Sequence, residues 1–536
     1  DAITTADAAS YNAKLTGAVA NNGNGTLSAD EANAYNSTLV GAINTNDIKT
    51  PAEWARYDSD EKEVTGDLPA VDARNTANIT GNVFGGGKGE ALESGSSAFK
   101  CASAMVGADG DGLIDRNGGT TITIGNGTVT VGGNVYGGGE IGRVEKNTSV
   151  TIGLGDGTGN YGYPVISGSV FGAGKGVPTH GYSALVRGNS TVTVQGDAKV
   201  LGSVYGGGEI ASVGRYNVVN GKPTSLMNPN SGNCAVTIRG YAEIGPDDMS
   251  MYHVDGSGNI VANDKPDNTG HVFGAGKGAT PYIDKDGNPW AEPWSININN
   301  GKDTYNAASY GDADEAEAAY LEFIETLALA TQTEVTISGN AFVKGDIFGG
   351  SEQGFVQHDT HVTIEGTCQI GAGYNTSTKK SDAKYAESLF VNPSTATAEE
   401  ITTAANTMHE CASWKYELPY EPHDIYANES GYDSKGGAVT ATNGSTFYGN
   451  VFGGGSGYFP YAPGKWHWKA GEVAGNSLVD IKGGHILTNV YGGNEMTNVV
   501  GKCTVNMSGG TIGVPRTLEQ IHNHPVTCYL FGAGKG

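Results

Sequence analysis

The chain has 536 residues, 85 of them glycine, and a formal net charge of −25 from 32 basic and 57 acidic side chains. Glycine at roughly twice its usual share, without a Gly-X-Y period, excludes collagen. The acidic balance excludes a nucleic-acid partner, which needs clustered Lys and Arg, and no run approaches the roughly 18 apolar residues of a membrane span.

At the N-terminus, "TTADAASYNAKLTGAV" (4–19) matches "SADEANAYNSTLVGAI" (28–43) at an offset of 24. Both predict amphipathic helices, the second opened by a capping box of Ser28 and Glu31. The intervening residues place Asn22, Asn24, Gly25, Ser28 and Glu31 at EF-hand loop positions 3, 5, 6, 9 and 12. The duplicated pair resembles a dockerin, which implies bound calcium with Asn22, Asn24, Ser28 and Glu31 as ligands. Ala20 stands at the first loop position and asparagine replaces two usual carboxylates, so a degenerate calcium loop and a metal-free helical linker both stand. No other cofactor is expected. Residues 1–75 read as this helical segment and a linker, and 76–536 as one repetitive domain.

The repeat emerges when the chain is laid on itself. "STVTVQGDAKVLGSVYGGGE" (190–209) aligns without gaps on "TEVTISGNAFVKGDIFGGSE" (333–352). The unit is a Thr-Val-Thr-Ile-like strand, a glycine, a second short strand, then Val-aromatic-Gly-Gly-Gly. Its aromatic falls at Phe84, Tyr136, Phe171, Tyr205, Phe273, Phe348, Phe452, Tyr491 and Phe531. From Tyr136 to Ile152, Phe348 to Ile364 and Tyr491 to Met507 the interval is 16 residues each time, while other intervals swell. A fixed core with variable connections is the pattern of a solenoid with insertions. Alternating apolar and small polar residues predict one inward face per strand, with Val83, Val135, Val170, Val204, Val272, Ile347, Val451 and Val490 inside. The expected fold is mainly β, a right-handed parallel β-helix with helical insertions and a small N-terminal α-helical segment. The alternative is a β-propeller, since long glycine-rich repeats also build blades.

Through its "VTI-x-G" and "NVFGGG/NVYGGG" units, the region from about Ile79 onward resembles the bacterial parallel β-helix surface proteins of adhesin and passenger type. The resemblance implies an extracellular or cell-surface location and a structural or adhesive role. The same scaffold also carries polysaccharide lyases and glycoside hydrolases, which stand as the alternative.

"GAGKG" invites a phosphate-loop reading, but Lys88, Lys175, Lys277 and Lys535 are each followed by Gly rather than Ser or Thr, and no helix begins there. The position instead runs Lys88, Glu140, Lys175, Glu209, Lys277, Glu352, Ser456, Glu495, Lys535. Stacked in successive layers, it predicts a charge ladder of exposed pairs that fixes register.

Insertions are expected near 245–270, 300–332 and 371–447, with helices over 312–332 and 395–414 packed outside the solenoid. Aromatics cluster in "PYIDKDGNPWAEPW" (281–294) and "YFPYAPGKWHWK" (458–469). Tyr458, Tyr461, Trp466, Trp468, Trp290 and Trp294 form either a glycan platform, giving a glycan-binding module with host or microbial glycans as partners, or packing for the insertions. Asp284 with Asp286, or His522 with His524, are the best local polar pairs, and His358 with His361 a poorer one. None completes an acid–base or metal constellation, so an enzyme is not expected. Six cysteines form no CxxC pair, so neither a zinc motif nor a disulfide framework is read. The last unit starts at Phe531, and further coils of the same chain, or a neighbouring copy, are expected to extend the sheets.

Overall fold

The computed structural model describes residues 76–535, apart from 90–103, 108–117, 156–162, 226–230, 255–259, 263–268, 282–285, 294–296, 307–312, 409–447, 516–527 and shorter stretches between them. The described residues are mainly β, with two α-helices, α1 (Ala313–Ile324) and α2 (Ala398–Thr407). Two large sheets, of 15 and nine strands, pair in parallel throughout, which fits a β-solenoid. No described helix is long and apolar enough to cross a membrane.

Each repeat contributes the same three strands. The first is the Thr-Val-Thr-Ile segment, as in Thr148–Ile152, Ser190–Val194 and Thr360–Ile364. The second is a dipeptide such as Val165–Ile166 or Lys199–Val200. The third is the Val-aromatic dipeptide, which recurs nine times from Val83–Phe84 to Leu530–Phe531 and makes up the nine-stranded sheet. First and second strands fuse in Ser477–Ile486, which ties their two rows into the 15-stranded sheet. Each strand pairs with its counterpart in the next repeat: Val192 faces Val150 and Val236, and Val204 faces Val170 and Val272.

The alternation of side chains places the valines and isoleucines where the pattern predicts. Val135, Val170, Val204, Val272, Ile347, Val451 and Val490 are fully buried in the largest apolar cluster, and Val83 packs against it at the described N-terminal edge. The aromatics form a second column. From Phe84 to Phe531 consecutive rings stack face to face at 4.6–5.1 Å, with planes within 8°. That spacing is the distance between neighbouring strands, so strand pairing alone brings the rings into contact.

The glycine after each aromatic is set by close backbone approach. A Cβ on Gly137, Gly172 or Gly206 would lie 2.1–2.2 Å from the carbonyl oxygen of the equivalent glycine one repeat on. Close backbone approach, rather than positive φ, excludes every other residue there. Positive φ appears after the first strand instead, at Gly196, Gly240, Gly339 and Gly366.

Side-chain hydroxyls tie the first-strand row to the glycines after the aromatics. Thr148 Oγ1 donates to the Gly172 carbonyl at 2.6 Å, and Thr120, Ser190, Thr333 and Thr360 do the same to Gly137, Gly206, Gly349 and Gly453 at 2.5–2.6 Å. Cys234 takes this position in register with Ser190 and Thr333, and burial pushes its thiol up to about 12, so it is an inert packing group.

A polar ladder runs beside the aromatic column, one residue ahead of each third strand. Asn82 Oδ1 accepts from the Asn134 backbone N–H at 2.7 Å, and Asn134 Oδ1 from Ser169 at 2.7 Å. Ser169, Ser203, His271 and Asp346 continue it, each accepting from the next backbone N–H at 2.7–3.1 Å.

The insertions differ in detail from expectation. α1 ends at Ile324, and the second half of 312–332 turns at Ala328 (φ 55°) into Leu329–Ala330 and the strand Gln332–Ile337. The Thr-rich, β-branched "TQTEVTI" takes the sheet in place of the helix. α2 begins with a full capping box between Thr397 and Glu400 and is ten residues long. Antiparallel hairpins occupy other insertions, among them Tyr216–Val219 with Lys222–Ser225, where no insertion is expected from the sequence.

Candidate functional site

The described residues with the richest chemistry lie where α1 meets the insertion at 458–469. α1 is rich in Ala and Glu, and Ala316, Tyr320, Phe323 and Ile324 form its buried stripe. They pack with Leu327, Tyr461 and Ala462 in one apolar cluster. Glu317 fixes the contact: the Tyr461 hydroxyl donates to it, and Lys465 Nζ lies 2.8 Å from both its oxygens. Burial alone would raise the Glu317 carboxyl, but these donors hold it below the usual range.

Beside this contact an open groove of about 350 Å³ is lined by Glu322, Glu325, Gln357, Lys469 and Glu472, with Phe355 and Leu329 among its apolar walls. Glu325 Oε1 is 3.0 Å from Nε2 of the buried His467, and its other oxygen 3.3 Å from Lys469 Nζ. A carboxylate only accepts, so Nε2 is the protonated nitrogen. His467 Nδ1 and Gln357 Oε1, both buried atoms, find no hydrogen-bond partner among the described residues. Burial opposes ionisation of Glu325, but His467 and Lys469 hold it below its ordinary value. Burial raises Glu472, and the Glu325 charge adds to that against the pull of Lys469. Two carboxyls in one groove are thus driven apart, an arrangement that can keep one ionised while the other retains a proton.

The expected aromatic platform divides in two. Tyr461 is core and Tyr458 is half-buried, so these two pack the insertion. Trp466 and Trp468 are 56% and 61% exposed and flank the inward His467, whose carbonyl accepts from the Ala470 backbone N–H at 2.9 Å in a turn. The Trp466 indole N–H donates to the Tyr458 carbonyl at 2.9 Å, and Lys469 Nζ sits 5.1 Å from the Trp468 ring centroid. Trp290 and Trp294 lie outside the described residues.

The charge ladder is a second site, and more buried than the expected exposed pairs. Lys88 pairs with Glu140 at 3.5 Å, Lys277 with Glu209 at 3.9 Å, and Lys535 with Glu495 at 3.5 Å; Glu140 and Lys175 are bridge partners through the backbone. Ser456, the break in the alternation, donates to Glu495 at 2.8 Å. Glu352 and Glu495 are nearly inaccessible. Their environment includes a partner that sequence reasoning missed: Tyr136 donates to Glu209 at 2.6 Å and Tyr205 to Glu352 at 2.5 Å, each reaching two repeats along the stack. Burial, reinforced by these carboxylates, pushes both phenols above their ordinary value. A signal was present: Tyr136, Tyr205 and Tyr491 each precede a Glu by four residues, whereas Phe84, Phe171, Phe273 and Phe531 each precede a Lys.

Tyr205→Phe should therefore cost about 2 kcal/mol in urea denaturation, because the ring fits but a buried carboxylate loses a donor. In a Glu352→Ser background, where the two substituted positions would match Phe273 and Ser456, two repeats apart in the native stack, the same change should be nearly neutral. Equal costs in both backgrounds would show that the bond carries no stability.

Other candidates do not converge. Asn22, Asn24, Ser28, Glu31, Asp284, His522 and His524 lie outside the described residues, and Asp286 is exposed. His361 faces Asp480 at 3.0 Å, while His358 Nε2 is buried without a partner among the described residues. No group of three or more His, Cys, Asp or Glu among the described residues could hold a metal ion. No family model, curated protein or solved structure matches the chain.

Proposed function

We propose that the chain is a structural, adhesive β-solenoid of a bacterial cell surface, wound as a closed, right-handed parallel β-helix. The observation that carries the reading is the unbroken in-register stacking of nine Val-aromatic units, with aromatic, hydroxyl and amide columns repeating alongside. Such a column resists unwinding and spaces insertions regularly along its length, which suits a scaffold that presents surfaces. Parallel pairing of each strand with its counterpart in the next repeat supports winding over blades. Right-handedness rests on the general hand of parallel crossovers, about 98% of which are right-handed. The surface location rests on the resemblance to adhesin-type repeats; neighbouring copies and glycans are the partners it implies.

The test is accessibility. An antibody raised against the native chain should label intact cells of the source organism, and brief protease treatment of those cells should remove the signal. Labelling that requires permeabilisation would overturn the surface reading. The opposed Glu325 and Glu472 favour a glycoside hydrolase as the second reading. Release of reducing ends, abolished by Glu472→Gln, would put it first.

A further inference from the structure

We infer that Trp466 and Trp468, with the groove beside them, form a subsite for a neutral or amino-sugar oligosaccharide. The inference is independent of where the chain resides. Trp466 and Trp468, two residues apart on one segment, are more than half exposed, and among the large apolar side chains of the described residues only Val500 is more so. The segment is held rigidly beneath them. Tyr461 is anchored in the apolar cluster with α1, Lys465 grips Glu317, and His467 is buried against Glu325. The rings are thus held out by a fixed base, and they offer flat apolar faces of the kind on which the C–H faces of pyranose rings stack.

The groove supplies the polar half of such a site. Lys469 lines it and also lies 5.1 Å from the Trp468 ring centroid, which joins platform and groove. Glu322 and Glu472 line it with carboxylate acceptors. Sugar hydroxyls are donors that satisfy such acceptors. The charge decides the class of sugar. Three glutamates face one lysine in the groove, on a chain of net charge −25, so a polyuronate would meet repulsion at short and long range. A neutral chain meets no such barrier, and a glucosamine unit gains from it.

The experiment is calorimetric titration of the full chain at millimolar sugar with three probes: cellotetraose, chitosan tetramer and tetragalacturonate. Cellotetraose or chitosan tetramer should bind, and tetragalacturonate should not. Trp466→Ala and Trp468→Ala should each weaken binding about tenfold or more, the size of effect expected of an aromatic anchor. Trp468→Phe, which keeps a stacking face, should stay within a few-fold of the parent. Because both indoles project from the surface, circular dichroism of the variants should match the parent. Absence of binding by both uncharged and amino-sugar probes, stronger binding of tetragalacturonate, or undiminished affinity in the Trp466→Ala, Trp468→Ala double variant would each overturn the subsite.

Discussion

Val204→Asp should abolish cooperative folding of the repeats or lower stability by several kcal/mol. Val204 is fully buried, in register with Val170 on one side and Val272 on the other, within a core column made only of Val and Ile at this position. A carboxylate placed there has no donor designed for it, and burying an unpaired charge costs far more than the lost apolar contacts. A typical domain has only about 5–15 kcal/mol in hand, and in a stacked array the loss weakens both neighbouring interfaces as well. Val204→Ile is the control. Ile347 fills the equivalent position natively, so the added methylene should cost no more than about 1 kcal/mol. Urea denaturation followed by circular dichroism reads both variants. A Val204→Asp midpoint within experimental error of the parent would mean that the column is not the core of the fold.

That column is legible in the sequence because it depends on local periodicity alone. The period-two alternation of "STVTV" and the aliphatic residue before each aromatic state which side chains point inward. Parallel stacking follows, since equivalent residues of successive units have to become neighbours. The Tyr–Glu bonds are harder to read. The YGGGE and FGAGK pairing is visible in the sequence, but the partner of Tyr205 is Glu352, 147 residues away. Nothing in one repeat says that the hydroxyl skips a layer. The groove is illegible for a stronger reason. Its parts come from the end of α1 and the residues just after it, from 355–357, and from a segment whose contacts to Glu325 span 142–144 residues, brought together by strand stacking and by insertion lengths that follow no period. The exposure of the indoles is likewise undecided in sequence, because Tyr461 and Trp466 look equivalent there. The distinction arises only when Tyr461 finds Glu317 and the apolar stripe of α1.

Asp346→Asn should stabilise the protein at pH 8 and do little at pH 4–5. Asp346 stands in the polar ladder at the place taken by Asn82, Asn134, Asn450 and Asn489 in other repeats. Its Oδ1 accepts from the backbone N–H groups of Gly449 and Asn450 at 2.8 and 2.7 Å and from the Asn450 side chain at 3.1 Å. Its Oδ2 lies 3.6 Å from His271 Nδ1, but that nitrogen already accepts the Asp346 backbone N–H at 2.9 Å. An accepting Nδ1 carries no proton, so the imidazole is no counter-ion there. Burial, with the nearby Glu495 charge adding to it, outweighs the three donors and pushes the carboxyl up to about 7. The unfolded chain ionises near 3.8. Between those values the folded protein binds the extra proton, so stability falls as pH rises from about 4 to 7 and stays reduced above it. A shift of about three units corresponds to a loss on the order of 2–4 kcal/mol. Asparagine keeps the Oδ1 acceptor and carries no charge, so the loss should disappear. Thermal melts of parent and variant from pH 4 to 8 are the measurement. The parent should lose stability across that window while the variant does not. Parallel pH profiles, or a variant less stable than the parent at pH 8, would mean that Asp346 is ionised and well solvated by its ladder, and that its place in the stack gives no pH dependence.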